Sequence, residues 1–269
     1  MKKTFLFFTF AMTCLSLSSC LKDLLPDHSK QLSNQVKAKE LMRAMGEAHQ
    51  IHLWKDMETY QVQFDEEFYG FIGKQGNPFS EDVMSFNLSY IPGDFNGQME
   101  ILNGKEAGKV WGIQSGQVYE KMPNGKVLST KNKDMKFWIP TYQYFIEFPL
   151  RIQEANAIDY IGTNTINGKN VEGFVASWNT IEPQKDIDQY LVWLDVSTKR
   201  IVRLDYTIRD YYGFISGSAY YKDYYFYDDL PLPKEMPVES SLVKKGYMHK
   251  MSIKDFKRDV VSKEALMPM

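Results

Sequence analysis

The chain has 269 residues, 43% hydrophobic and 25% charged, with a formal net charge of −2. That balance excludes a disordered chain and shows no basic excess for nucleic acid, and a mean hydropathy of −0.40 excludes a polytopic membrane protein. Two cysteines cannot build a disulfide framework, whereas 17 Tyr, 17 Phe and 5 Trp are a heavy aromatic load for one chain.

The first twenty residues differ from the rest. Lys2 and Lys3 precede a mostly apolar run from Phe5 to Leu17, closed by Leu17-Ser18-Ser19-Cys20. This is the pattern of a secretory leader, with an apolar core too short to span a membrane. Its end resembles the bacterial lipobox, which implies cleavage before Cys20 and lipidation of Cys20. Several acyl chains on one residue anchor firmly where a single chain binds marginally. Losing Lys2 and Lys3 takes the net charge from −2 to −4, and losing Cys14 leaves Cys20 as the only cysteine. The alternative is an ordinary signal peptide in which Cys20 is incidental. Leu21-Lys22 follows the cysteine with no Asp directly after it, which resembles outer-membrane sorting and leaves the periplasmic or surface face open. Residues 20–33 read as a lipidated tether and residues 34–269 as one domain.

Asn34 to Gln50 predicts a helix, because Leu41, Ala44, Met45 and Ala48 form one apolar stripe. Strands follow. Tyr60 to Phe64 and Met84 to Tyr90 alternate apolar and polar residues. Further short strands meet at Asn103-Gly104, Ser115-Gly116, Asn124-Gly125 and Asn167-Gly168, pairs that supply the positive φ of tight hairpins. Lys136 to Asn156 interrupts them as two short, very apolar helices, with Pro140 in a first turn and Pro149 ending or kinking the pair. Gln189 to Asp195 and Arg200 to Arg209 resume the strands. In the second, Val202, Leu204, Tyr206 and Ile208 form a dry face against Arg203, Asp205, Thr207 and Arg209. A tyrosine-rich strand near Tyr220 to Tyr227 and a last strand near Tyr247 to Phe256 complete the chain. No βαβ spacing occurs, so a parallel sheet is not expected.

This order resembles the LolA/LolB-like lipoprotein-localisation fold, as found also in uncharacterised envelope lipoproteins. The helix Ala38 to Ala48 leading through Trp54 into Tyr60 to Phe64 carries the likeness. So do the hairpin Leu191 to Val202 and the run Tyr220 to Pro233. The resemblance implies a mainly β (α+β) fold. A single curved antiparallel sheet forms an incomplete β-barrel that wraps the N-terminal helix and the short helical insertion, around an apolar cavity. It also implies a ligand such as a lipid or acyl chain, and use in lipoprotein or lipid trafficking. There are departures. No Arg occurs between Tyr60 and Tyr90, where the carrier has one, and the nearest counterpart of the acceptor's exposed apolar loop is Gly70 to Phe79, with Phe71, Ile72 and Phe79. Lipoprotein transfer therefore does not follow from the resemblance.

Trp111, Trp138, Tyr142, Phe145, Phe174, Trp178, Trp193 and Tyr206 are the candidate lining of such a cavity, their alternative being an ordinary packed core. Tyr211, Tyr212, Tyr220, Tyr221, Tyr224, Tyr225 and Tyr227 suggest a flat-ligand platform, but alternation divides neighbours between two faces. His49 and His52 fall at a helix end, where a cation suits the dipole. Asp65-Glu66-Glu67 reads as a solvated acidic turn after a strand. No catalytic motif, metal set or cofactor signature is present, so an enzyme is not expected. The expected partners are a membrane through Cys20, a hydrophobic ligand and an envelope protein, with no nucleic acid. A non-catalytic interaction or accessory lipoprotein with a filled core is the alternative. The two differ in one observable: a void of several hundred cubic ångströms, or none, between sheet and helices.

Overall fold

The computed structural model describes residues 21–25, 34–210 and 213–269. Cys20, His28, Tyr211 and Tyr212 lie outside the described residues. The N-terminal helix α1 (Gln35–Ala48) is capped by Asn34, whose side chain accepts the Lys37 amide. A short α2 (His52–Lys55) leads to a six-strand antiparallel meander. Its strands are β1 (Tyr60–Phe68), β2 (Val83–Tyr90), β3 (Gly97–Ile101), β4 (Val110–Gln114), β5 (Gln117–Lys121) and β6 (Val127–Thr130). Helix α3 (Gly70–Gln75) sits between the first two. Helices α4 (Lys133–Ile146) and α5 (Phe148–Arg151) follow, then β7 (Ala157–Ile166), β8 (Lys169–Ser177), β9 (Tyr190–Asp195), β10 (Ile201–Thr207), β11 (Ser216–Tyr220) and β12 (Lys222–Tyr227). Strands β13 (Leu230–Ser240) and β14 (His249–Arg258) and a terminal α6 (Lys263–Leu266) complete the chain.

All ladders are antiparallel, in the order β6-β5-β4-β3-β2-β1-β14-β13-β11-β10-β9-β8-β7, with β12 paired to β13 alone. The last long strand thus joins the two meanders by pairing with the first. Strands β11 and β12 share one register against β13, from Gly217↔Ser240 to Tyr227↔Leu230, and act as one long interrupted strand. Strands β6 and β7 are the two edges. The sheet is curved but not closed into a barrel, as expected. The chain between those edges has to cross the width of the sheet, which is why α4 and α5 lie over it. Helix α4 packs on β3, β4 and β5, and α1 on β7 and β8.

Two tight turns follow the expected chemistry. Ser115-Gly116 and Asn167-Gly168 take positive φ at both positions and close the β4–β5 and β7–β8 hairpins. Asn103-Gly104 instead opens a longer loop before β4.

The helical insertion departs from its expected form. Helix α4 is one helix of 14 residues with Pro140 inside it rather than in its first turn. Asn132 caps its start, accepting from the Asp134 and Met135 amides. An interior proline costs about 3 kcal/mol. Burial of Trp138, Ile139, Tyr142, Phe145 and Ile146 contributes roughly 1.5–3 kcal/mol each, which outweighs that cost. Buried tyrosines then fasten the helix from both meanders. Tyr90 Oη donates to the Ile139 carbonyl at 2.8 Å and Tyr221 Oη to the Phe145 carbonyl at 3.0 Å.

The break between α4 and α5 is held by a buried carboxylate. Glu147 accepts from Tyr60 Oη (2.7 Å), Gln143 Nε2 (2.8 Å) and the Gly93 amide (3.0 Å), and pairs with Arg151 at 2.8 Å. Burial pushes its carboxyl above the ordinary range, opposed by Arg151.

Candidate apolar ligand cavity

A cavity of about 460 Å³ lies between α4 and the concave face of β9, β10 and the end of β13. Its walls are Phe68, Trp138, Phe145, Tyr190, Leu204 and Tyr206, and its rim carries exposed Ile72, Phe95, Lys136, Asp210 and Leu242. The volume falls in the range of about 300–1,000 Å³ that encloses small ligands. Each wall has a local cause. Strand alternation points Leu204 and Tyr206 inward, and helical spacing puts Trp138, Thr141 and Phe145 on one face of α4. Tyr206 fits because Gly217 stands directly across the ladder from it.

The expected lining residues divide. Trp138, Phe145 and Tyr206 line the cavity. Tyr142, Phe174 and Trp111 are buried in the main core, Tyr142 against Phe64 at 5.0 Å and Phe86 at 6.0 Å. Trp178 is half-buried, edge-on to Tyr190. Trp193 lies on the other face of the sheet, among Ile166, Val171, Val202 and Tyr220, with its indole donating to Asp205 at 3.1 Å. Val202 joins it there rather than on the dry face with Leu204, because the β9–β10 register shifts between Ile201 and Arg203.

Sequence reasoning missed the cavity's buried polar group. Strand β1 does not stop at Phe64 but runs to Phe68, so Asp65-Glu66-Glu67 is strand rather than turn. Alternation turns Asp65 and Glu67 outward to Lys254 and Lys250 and Glu66 inward, fully buried. There Glu66 Oε1 lies 2.7 Å from Nδ1 of His249, a cavity-lining residue on β14. Phe68 stacks on the imidazole at 6.0 Å and Trp138 meets it edge-on at 5.7 Å. The Tyr142 hydroxyl lies beside Glu66 without completing a hydrogen bond. Burial pushes the Glu66 carboxyl up, and His249 opposes that shift. The alternation of Tyr60, Val62 and Phe64 continues through Glu66 to Phe68 and places Glu66 inside.

The other histidines and tyrosines also settle. His49 is not a cation serving the dipole of α1. It is buried and neutral, its Nε2 accepting the Ile201 amide at 3.1 Å, and burial with the nearby Arg200 holds it down to about 3. His52 is exposed. Tyr220 faces outward and Tyr221 inward, Tyr224 and Tyr227 pack on the core, and Tyr225 is exposed, so no single platform forms from them. In the segment Gly70 to Phe79, Phe71 is 77% exposed and Ile72 stands on the cavity rim, whereas Phe79 packs on Phe86 at 4.9 Å.

Residues just after Cys20 are docked beside the rim. The Lys22 amide donates to the Gly213 carbonyl at 2.7 Å, and Arg209 donates to the Lys22 carbonyl at 2.6 Å. The Leu24 amide donates to Gln189 Oε1 at 3.1 Å. Asp188 and Ile208, neighbours of Gln189 and Arg209, line the cavity. Among the described residues, no helix is long and apolar enough to cross a membrane.

Comparison with known proteins bears on the fold. No family model and no curated protein matches the chain. Solved structures do. A domain from Vibrio parahaemolyticus attributed to outer membrane lipoprotein sorting superposes with a TM-score of 0.56 at 13% identity, over 86% of this chain and 96% of that one. A DUF1329 family protein from Desulfovibrio piger gives 0.56 at 11% identity over the same shares. A LolA superfamily protein from Nitrosomonas europaea gives 0.55 at 11%, over 85% and 96%. The chain has the LolA-like fold, as its element order implied.

Proposed function

We propose that this protein is a lipid-anchored bacterial envelope protein that binds a lipid, an acyl chain or a similar apolar ligand in the cavity under α4. The observation that carries this reading is the cavity itself: about 460 Å³ of space walled by Phe68, Trp138, Phe145, Tyr190, Leu204 and Tyr206. Removing an acyl chain from water contributes about 0.8 kcal/mol per methylene, so a short chain suffices for useful affinity. The docking of Lys22 and Leu24 beside the rim supports the anchored form, since a lipid on Cys20 would hold the cavity mouth close to a bilayer. Placement in the outer membrane and a part in lipoprotein or lipid trafficking belong to this proposal.

The test is ligand capture by a Cys20→Ser chain. Native mass spectrometry should find co-purified lipid, or a fluorescent acyl probe should bind with micromolar affinity. A Leu204→Trp variant, which fills the cavity, should lose that binding while keeping its fold. Absence of both lipid and probe binding rejects the reading. The filled-core interaction module would then stand, and the dense packing around Trp54, Tyr60, Phe86 and Tyr90 favours it.

A further inference from the structure

We propose that His249 is the polar anchor of the cavity and that its ligand is a single chain ending in a protic oxygen, a carboxyl or a hydroxyl group. This inference rests on the cavity-binding reading above and specifies its ligand.

The imidazole is presented, not merely buried. Nδ1 is committed to Glu66 Oε1 at 2.7 Å, while Phe68 and Trp138 fix the ring plane from two sides. That leaves Nε2 as the ring's remaining polar atom. It has no hydrogen bond among the described residues, and His249 belongs to the cavity wall. With Nδ1–H donated to an ionised Glu66, a neutral ring offers Nε2 as an acceptor; with the proton on Glu66, or with a charged ring, Nε2 is a donor. Only a group that can both donate and accept satisfies both states: a hydroxyl or a protonated carboxyl does so, while an ionised carboxylate pairs with the donor state. An ester oxygen can only accept.

Two other polar side chains around the cavity are already engaged, while the Tyr144 hydroxyl on its wall has no hydrogen-bond partner among the described residues. Thr141 Oγ1 bonds the Phe137 carbonyl, and Thr207 Oγ1 bonds Asp188, which also accepts the Arg209 amide. Glu66 serves as the positioning residue. A ligand atom bound at Nε2 places the attached chain along Trp138, Phe145, Leu204 and Tyr206, the apolar walls.

Isothermal titration of the Cys20→Ser chain with dodecan-1-ol, dodecanoic acid and methyl dodecanoate tests this. The alcohol and the ester are both uncharged, so Lys136 on the rim does not bias that pair. The alcohol and the acid should bind about tenfold more tightly than the ester, the worth of one buried hydrogen bond. A Glu66→Leu/His249→Phe double variant removes both polar groups without orphaning either and keeps a ring between Phe68 and Trp138. In it the alcohol-to-ester ratio should collapse to about one, with ester affinity retained. Equal binding of alcohol and ester by the parent chain overturns the anchor whether or not the variant folds. So does a ratio that survives in the double variant. If none of the three ligands binds, the cavity-binding reading itself fails.

Discussion

Gly217 pairs directly with Tyr206 across the β10–β11 ladder, and a β-carbon on Gly217 would stand 2.5 Å from the Tyr206 hydroxyl. The contact is with the ring end of a cavity wall, so the glycine sets where that wall lies. Gly217→Ala should force Tyr206 toward the cavity. Overpacking of this kind costs about 1–3 kcal/mol. Urea denaturation should show that loss, and acyl-probe affinity should fall with it. A variant with unchanged stability and unchanged probe binding would mean that Tyr206 has somewhere else to go.

His49 gives the fold a defined response to acid. Its value falls from the usual 6.5 to about 3 because the buried ring cannot take a proton beside Arg200. The unfolded chain protonates near 6.5 while the native chain does not. Stability is therefore full above pH 6.5 and declines as pH drops toward 3, by about 1.4 kcal/mol per unit. Gln at this position can still accept the Ile201 amide and has no proton to gain. Between pH 7 and pH 5 the parent chain should lose about 2 kcal/mol relative to His49→Gln. Parallel stability curves for the two chains would refute the buried, neutral assignment.

Glu147 concentrates many bonds on one side chain at the α4–α5 break. Glu147→Ala would strand the Tyr60 hydroxyl and the Gly93 amide and leave Arg151 unpaired, while Gln143 Nε2 keeps the Ile91 and Asp94 carbonyls. Breaking a buried pair from one side costs about 3–5 kcal/mol. Glu147→Gln keeps an acceptor oxygen and should cost clearly less. Equal losses for the two variants would show that the negative charge opposite Arg151, not the acceptor oxygen or the volume, is what Glu147 supplies.

These residues also show what a sequence can and cannot disclose here. Short-range chemistry was legible: the positive φ at Ser115-Gly116 and Asn167-Gly168, and the stripe of α1. The LolA-like element order was legible for the same reason, since it follows from local periodicity. The polar anchor was not. Glu66 and His249 are 183 residues apart and meet only because β14 pairs with β1. Trp193 looked like a cavity residue until the register put Val192 and Leu194 in the core and the indole on the opposite face. The aromatic excess divides in the same way. Some rings line the cavity, while Tyr60, Tyr90 and Tyr221 direct their hydroxyls to the α4–α5 segment, a use that composition cannot reveal.

Arg209 donates to both the Gly213 and the Lys22 carbonyls, joining Gly213 to the segment after Cys20. The Lys22 and Leu24 amides are bonded to Gly213 and Gln189, so hydrogen exchange at these two positions reports directly on docking. Arg209→Ala removes the clasp but leaves the core strands intact. Exchange at Lys22 and Leu24 should quicken by at least about tenfold, an opening energy of roughly 1.4 kcal/mol. Amides in β1 and β14, bonded within the sheet, should keep their protection. Unchanged exchange at Lys22 and Leu24 would show that Gly213 and Gln189 hold the segment without Arg209. Equal loss in β1 would make Arg209 a determinant of the whole fold. On the proposed anchor at Cys20, the same variant lengthens the free tether. Its lipidated form should then collect acyl probe from vesicles more slowly than the parent, since the cavity mouth is no longer held beside the bilayer.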